Sequence, residues 1–333
     1  MRRRASLVLL AFAVFFAAMS PLLRWYAFPR LAKIPPSQYQ ETVLEAKPAT
    51  LLDYTTLKAK KVDKVTIVQT LKGNVEESER IERSAGRDVV VWDALSYIQG
   101  PDGRTVSQIP ERYIFDAHTQ APVNATGEMV DGDPVRRTGI EFKWPFLTEK
   151  RDYEYFDAQT RTSSPIHYKG TRTFRGMEVY YFEQTIPWTK VPMPQKMPIE
   201  DITAEQVAST GMTRWYSTTR MFWIDPVTGA PVNGEEIHKE EMRDAKKMGM
   251  PQDTVTAFAG HVKMREDYIV AVVDQVKSQR LLILLLTSYL PWGFLTLAAG
   301  FLALSLWLEA RSRRRPGRPA AAGPAPGPEP TPA

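Results

Sequence analysis

Four histidines, His118, His167, His238 and His261, and 38 acidic residues are the groups in this 333-residue chain that can bind a metal or move a proton. The histidines are scattered, with no HExxH run or other paired ligand spacing, so each reads as a surface or core residue rather than a ligand. Cysteine is absent, which excludes disulfides, thiolate metal sites and cysteine nucleophiles together. Asp131-Gly132-Asp133-Pro134 resembles a fragment of a calcium loop but lacks the Glu and the remaining oxygen ligands of an EF-hand, and it reads as a turn. No GxSxG elbow, Walker loop or GxGxxG fingerprint occurs. Two carboxylates acting as acid and base need no fixed spacing in sequence, so that chemistry stays open without a residue to attach it to. The sequence therefore assigns no catalytic, cofactor-binding or metal-binding residue and implies no cofactor.

What stands out instead is aromatic density. Phe142-Lys143-Trp144-Pro145-Phe146 is followed by Tyr153-Glu154-Tyr155-Phe156, and Tyr180-Tyr181-Phe182 and Ile186-Pro187-Trp188 come soon after. Such side chains either fill a β core, or line a groove for an apolar ligand, or form a lipid-facing surface.

The elements that must position these residues are bracketed by two apolar ends. After Met1-Arg2-Arg3-Arg4 the stretch Ala5 to Leu23 carries no charge and is long enough to span ~30 Å of hydrocarbon at ~1.5 Å per residue. Trp25, Tyr26 and Phe28 mark its outer end as an aromatic belt would. The competing reading is a cleaved signal peptide, with small residues at Ala17 and Ala18. A second uncharged run, Leu281 to Leu308, contains Pro291, which should kink the helix or mark where it meets the bilayer. Arginines cluster beside both runs, and the positive-inside rule places both termini in the cytoplasm and residues 24–280 outside it.

Charge follows the same division. The chain carries +5 overall, but the segment between the ends holds 33 basic and 36 acidic residues, which gives no electrostatic footprint for nucleic acid. The expected organisation is a basic cytoplasmic start at 1–4, a transmembrane helix at 5–23, and a β-rich extracytoplasmic domain at 24–264. A stalk helix continuing into a transmembrane helix follows at 265–308, then a basic and Pro/Ala-rich cytoplasmic tail at 309–333, whose composition cannot build a core.

Within the outer domain, Val62–Leu71, Asp88–Ile98, Arg112–Phe115, Met177–Gln184 and Tyr216–Ile224 read as strands from their Val, Ile, Thr and aromatic content. Ile202–Ala208 reads as helical, the charged run Glu235–Lys247 as a solvated helix or loop, and Pro29–Pro36 with Pro48 as extended chain. The fold class is α+β: a mostly β ectodomain, barrel or sandwich-like, between N- and C-terminal transmembrane helices. Its strands carry too many charges for the continuous lipid-facing band of a membrane barrel. One motif repeats: Ile114-Phe-Asp116-Ala-His-Thr119-Gln120-Ala-Pro-Val-Asn124 matches Trp223-Ile-Asp225-Pro-Val-Thr228-Gly229-Ala-Pro-Val-Asn233. In each, an aromatic strand ends on an Asp that can cap a turn; Gly229 supplies positive φ in the second, and Gln120 implies a turn of different detail in the first.

The paired terminal spans, Trp144-Pro145-Phe146 leading to Tyr153-Glu154-Tyr155, and Trp223-Ile-Asp225-Pro-Val-Thr228-Gly229 resemble an actinobacterial envelope family of unknown function labelled "porin PorA family". The resemblance covers nearly the whole chain, implies a cell-envelope membrane protein, and brings no catalytic residues with it. The layout of two terminal spans around one β-rich domain also resembles that of the class B scavenger receptors, which handle lipids. Residues and resemblance together lead to the expectation of a non-enzymatic protein of the cytoplasmic membrane. Its partners would be membrane lipids, together with an apolar (lipid) envelope ligand or an envelope protein bound by the outer domain. A channel or porin-like transport component is the first alternative and a carboxylate-using envelope hydrolase the second.

Overall fold

The computed structural model describes residues 2–53, 56–197, 199, 202–244 and 254–313, which form two compact units: residues 2–28 with 285–313, and the described residues between 29 and 284. The Pro/Ala-rich tail and the end of the charged run at 245–247 lie outside the described residues. In chain order the elements are α1 (Arg2–Pro21), α2 (Phe28–Leu31), β1 (Tyr39–Asp53), β2 (Lys58–Val62), β3 (Val65–Gly73), α3 (Val75–Ala85), β4 (Val89–Gln99) and β5 (Thr105–Asp116). There follow β6 (Met129–Val130), β7 (Asp133–Pro134), β8 (Tyr153–Asp157), β9 (Thr162–Phe174), β10 (Met177–Val191), α4 (Ala204–Ser209), β11 (Met212–Ile224), β12 (Pro231–Asp244), β13 (Thr254–Met264), α5 (Glu266–Leu284) and α6 (Leu290–Arg313).

In the first unit α1 and α6 pack through interleaved aromatic rings, with Phe16 lying 5.5 Å from Phe294 and 5.8 Å from Phe301 between centroids, and Phe12 5.7 Å from Phe301. Ser6 and Ser305 close the pair, their hydroxyls 2.9 Å apart and the Ser305 hydroxyl donating to the Ser6 carbonyl. Small polar residues are the usual means by which apolar helices approach and hydrogen-bond each other. Pro291 has no N–H to offer the carbonyl four residues earlier, that of Thr287, and the helix answers with a π-helical turn at Leu285–Tyr289. The Arg24 guanidinium donates to that Thr287 carbonyl at 2.6 Å. The helices over Arg4–Leu31 and Glu266–Arg311 are long and apolar enough to cross a membrane.

The second unit is built on one antiparallel sheet of 13 strands in the order β7-β6-β5-β4-β3-β1-β13-β12-β11-β10-β9-β8, with β2 added beside β1. The sheet curls so that β3, β4 and β5 face β11 and β12, but it does not close into a barrel. Its margins are instead stitched by β7 and the segment after it. Ile140 forms a single parallel bridge to Tyr155, Asp133 pairs with Arg161, and Arg137 lies between the rings of Tyr113 and Phe156. On the outer face α3 covers Val89, Val91 and Ile114 through Ile81, and α5 covers Val179 and Val232 through Ile269, Val273 and Val276. Asn74 caps α3 by accepting from the Glu77 amide, and Gly86 ends it in the left-handed conformation.

Two expectations need correction. The charged run from Glu235 is strand β12 in the middle of the sheet, its alternate residues Glu236, His238 and Glu240 turned inward. The entry segment expected as extended chain is helical at residues 29–31, which belong to α2, whereas Pro48 is extended as expected, within β1 at a bulge between Ala46 and Ala49. Ile202–Ala208 is correctly helical in part, as α4 over Ala204–Ser209 with Thr203 and Gln206 forming a capping box.

Candidate functional site

The concave face of the curled sheet encloses a cavity of about 230 Å³. Strand alternation decides its lining, since every second side chain of each strand points inward. One wall is uncharged and mixed: Leu44 from β1, Ile67 and Leu71 from β3, Ile98 from β4, Ile109 from β5, and Val262 with Phe258 from β13 share it with Gln40, Thr42, Gln69, Ser96 and Ser107. Phe142, Tyr155, Phe156 and Phe222 add rings. The other side is ionic, made by Glu111, Glu141, Asp157, Arg220, Glu236 and His238.

The aromatic segments therefore do two things. Trp144 is fully buried between Tyr155, Phe182 and Phe222 in the core, whereas Phe142, Tyr155 and Phe156 also face the cavity. Lys143 reaches only the Trp144 carbonyl and the face of the Phe146 ring among its close contacts, and burial pulls its amine down to about 7.

On β11 and β12 the register places Arg220 directly opposite Glu236 and Thr218 opposite His238. The His238 ring sits between Glu236 at 2.9 Å and Glu240 at 3.0 Å, one carboxylate on each nitrogen. Burial works against the imidazolium, but the hydrogen bonds to Glu236 and Glu240 outweigh it and raise the ring to about 9. Burial likewise opposes charge on Glu236 and Glu240. Arg220 and His238 hold the first far below the ordinary carboxylate range, and Arg214 and His238 hold the second at about 2. Arg214 forks onto both Glu240 oxygens, and Arg220 reaches Asp157 at 2.7 Å. Three cations thus meet three carboxylates.

At the sheet margin the balance differs. Arg137, wholly buried, contacts Glu141 at 2.8 Å, Glu111 at 3.1 Å and Glu128 at 3.8 Å. Burial raises Glu111 and Glu141, and it lifts Glu128 to about 7 against the Ile114 amide and Arg137.

The remaining histidines behave as surface or edge residues: His118 bonds Asp88, His167 bonds Asp152 and His261 bonds Glu235. Among the described residues no cluster of His, Asp or Glu has the arrangement of a metal site. Asp131-Gly132 is the turn of the β6–β7 hairpin, with both residues at positive φ.

The repeated Asp motif is a turn built the same way each time. The Asp225 carboxylate accepts from the Thr228 amide and hydroxyl, and the Gly229 amide donates to the Asp225 carbonyl. Asp116 does the same with Thr119 and Gln120. Gln120 does not change the turn as its side chain suggested; it takes φ 59° and spends its amide on the Ala117 and His118 carbonyls. Gly229 has a different reason to be glycine, because a Cβ there would lie 2.2 Å from the Trp144 carbonyl oxygen. Asp157-Ala158-Gln159-Thr160-Arg161 is a third copy, with the Thr160 amide on the Asp157 carboxylate and Arg161 at φ 58°. Phe-Asp-Ala-x-Thr at both 115–119 and 156–160 was the signal for it. This third turn puts the Asp157 carboxylate on the cavity wall.

The chain matches the family described as Porin PorA over residues 5–307. It is similar to the "Porin PorA" of Corynebacterium resistens, 26% identical over 212 residues that cover 44% of this chain and 51% of that one. It is also similar to the "Porin PorA" of Corynebacterium amycolatum, 23% identical over 297 residues covering 71% of this chain and 77% of that one. The chain thus spans about half the length of the first relative. A match over nearly the whole chain places this protein in the PorA porin family.

Proposed function

We propose that this protein is a non-enzymatic component of the cell envelope, anchored in the cytoplasmic membrane by its two terminal helices with both termini inside. Its sheet domain, residues 24–280 with the stalk helix, holds a small amphipathic molecule or one acyl chain on the outer side. The observation that carries this reading is a cavity that sets the apolar side chains of Leu44, Ile67, Leu71, Ile98, Ile109 and Val262 across from a group of buried charges. At about 230 Å³ it falls just under the ~300–1,000 Å³ usual for ligand pockets, which suits a single chain better than a whole lipid. Native mass spectrometry of the full-length protein released from nanodiscs tests it. A bound mass that survives activation in the wild type and is lost in Leu44→Trp, which fills the cavity, supports the reading; equal retention by both refutes it.

A second reading, a channel, is favoured by the name porin carried by the family and by both relatives. Physical considerations set its form. Within one chain the phenylalanines and serines of α1 and α6 are spent on each other, so a water-filled path would need several chains. Planar-bilayer recordings that show conductance growing with a power of protein concentration above one would favour this reading. Silence at all concentrations would remove it.

A further inference from the structure

The two ionic regions of the cavity wall differ in charge balance. On the β11–β12 side Asp157, Glu236 and Glu240 are matched by Arg214, Arg220 and His238. At the margin Glu111, Glu128 and Glu141 share the single guanidinium of Arg137. A surplus of two negative charges therefore belongs to the margin, and of its three carboxylates Glu111 and Glu141 line the cavity. Among the described residues Arg137 is the cation in contact with this pair; Glu128 shares it, Asp157, Tyr113 and Tyr155 lie close by, and Arg220 on the same side of the cavity is committed to Asp157 and Glu236. Both carboxyls lie on the one Arg137 guanidinium, Glu111 at 3.1 Å and Glu141 at 2.8 Å, and two buried carboxyls that share one cation are expected to retain a proton. In the same cluster Glu128 Oε2 is a buried acceptor with no hydrogen-bond partner.

Charge buried this deeply must be neutralised, by protons or by a cation. Beside the pair the wall turns apolar at once. Ile109 is two residues before Glu111 on β5, Phe142 follows Glu141, and Leu71 lies in the same cross-strand row as Glu111 through Ala94. An ammonium group offers three donors, suits closely spaced carboxylate oxygens, and leaves its chain free to lie along these side chains.

We infer that the cavity selects an amphiphile whose head is a protonated primary amine, seated on the Glu111–Glu141 pair with its alkyl chain against Leu71, Ile109 and Phe142. The inference rests on the reading that the cavity binds a ligand. The balance is simple: R–NH₃⁺ arrives, the retained proton leaves the pair to solvent, and the ammonium takes its place. A carboxylate or phosphate head would meet surplus negative charge and is disfavoured.

The test uses full-length protein in nanodiscs at pH 7.5, titrated calorimetrically with octylamine, octanol and octanoate, with empty nanodiscs as the blank. Eight carbons match a volume of about 230 Å³ at roughly 30 Å³ per water-sized group. Octylamine is expected to bind at least about tenfold more tightly than either analogue, as one good charge-assisted contact supplies. Its apparent heat should change with the ionisation enthalpy of the buffer, reporting the released proton. In Glu141→Gln, and separately in Glu111→Gln, the preference should fall below about threefold. If these variants do not fold, the wild-type series decides. Octanoate or octanol binding as tightly as octylamine overturns the head-group inference and leaves the cavity reading standing, whereas no binding of any of the three overturns both.

Discussion

Replacing His238 with Gln should remove a specific slice of pH-dependent stability. In the folded protein the ring is held near 9 by Glu236 and Glu240, against about 6.5 in an unfolded chain. Over that window the native state carries a proton that the unfolded state has lost, so stability is full below about pH 6.5 and drains away as pH rises towards 9. At ~1.36 kcal/mol per pK unit, the roughly 2.5-unit gap amounts to about 3 kcal/mol. The raw profile will not show this alone. Lys143, lowered to about 7, makes stability rise with pH from there towards its ordinary 10.5, with opposite sign. The informative quantity is therefore the difference between wild type and His238→Gln, in which Lys143 and Glu128 cancel. Glu236 and Glu240 keep Arg220 and Arg214 in the variant, so it should fold. Urea unfolding followed by tryptophan fluorescence at half-unit steps from pH 6 to 9.5 gives both curves. The difference should shrink by about 3 kcal/mol between pH 6.5 and 9; a flat difference, or one whose midpoint lies at or below pH 6.5, would show that the ring is neutral in the fold and that the charge count of the cavity wall is wrong.

Other perturbations separate sterics from charge. Gly229→Ala, whose new Cβ would strike the Trp144 carbonyl, should cost about 3 kcal/mol or more in urea unfolding. Gly176→Ala, equally at positive φ but in open space, should cost only about 1 kcal/mol. Arg137→Met strips three carboxylates of their cation and should destabilise by about 3–5 kcal/mol at pH 7, with part of the loss recovered at pH 5, where those carboxyls protonate. Leu44→Trp, which only fills the cavity, should leave the urea midpoint within the equivalent of about 1 kcal/mol.

Much of the architecture was legible because membrane helices announce themselves by length without charge, and because β4, β10 and β11 are rich in branched and aromatic residues. β13 and β9 escaped notice for a physical reason: their runs of Gly, Ala, Thr and Lys do not alternate strongly. α3 was missed because its amphipathic face is only Ile81 and Ser78 over three turns. The cavity itself was not legible, since its walls come from strands far apart in sequence that meet only when the sheet curls.

The hardest element was β12, and its misreading is also the clue to the site. A strand with one buried face normally turns apolar residues inward and charges outward, and Glu235–Lys247 fits no such pattern. In the folded chain the rule is inverted: Glu236, His238 and Glu240 point into the protein, and Ile237 on the opposite face is 42% exposed. Charges alternating with period two at i, i+2 and i+4 are a strand signal whatever their polarity, and a segment that buries them must find partners. Arg214 and Arg220 on β11 stand an even number of residues apart and so share a face; the register sets Arg220 directly opposite Glu236, and Arg214, opposite Met242, reaches Glu240 diagonally. Complementary charges at matched strand periodicity in two neighbouring segments could therefore have predicted both the pairing of β11 with β12 and a buried ionic wall. A protein that needed only stability would do as well with apolar residues there, since buried ion networks seldom stabilise more than a well-packed hydrophobic core does. That this one keeps a cluster of buried charges facing the apolar side chains of a cavity is the strongest physical argument that the cavity serves something besides the fold.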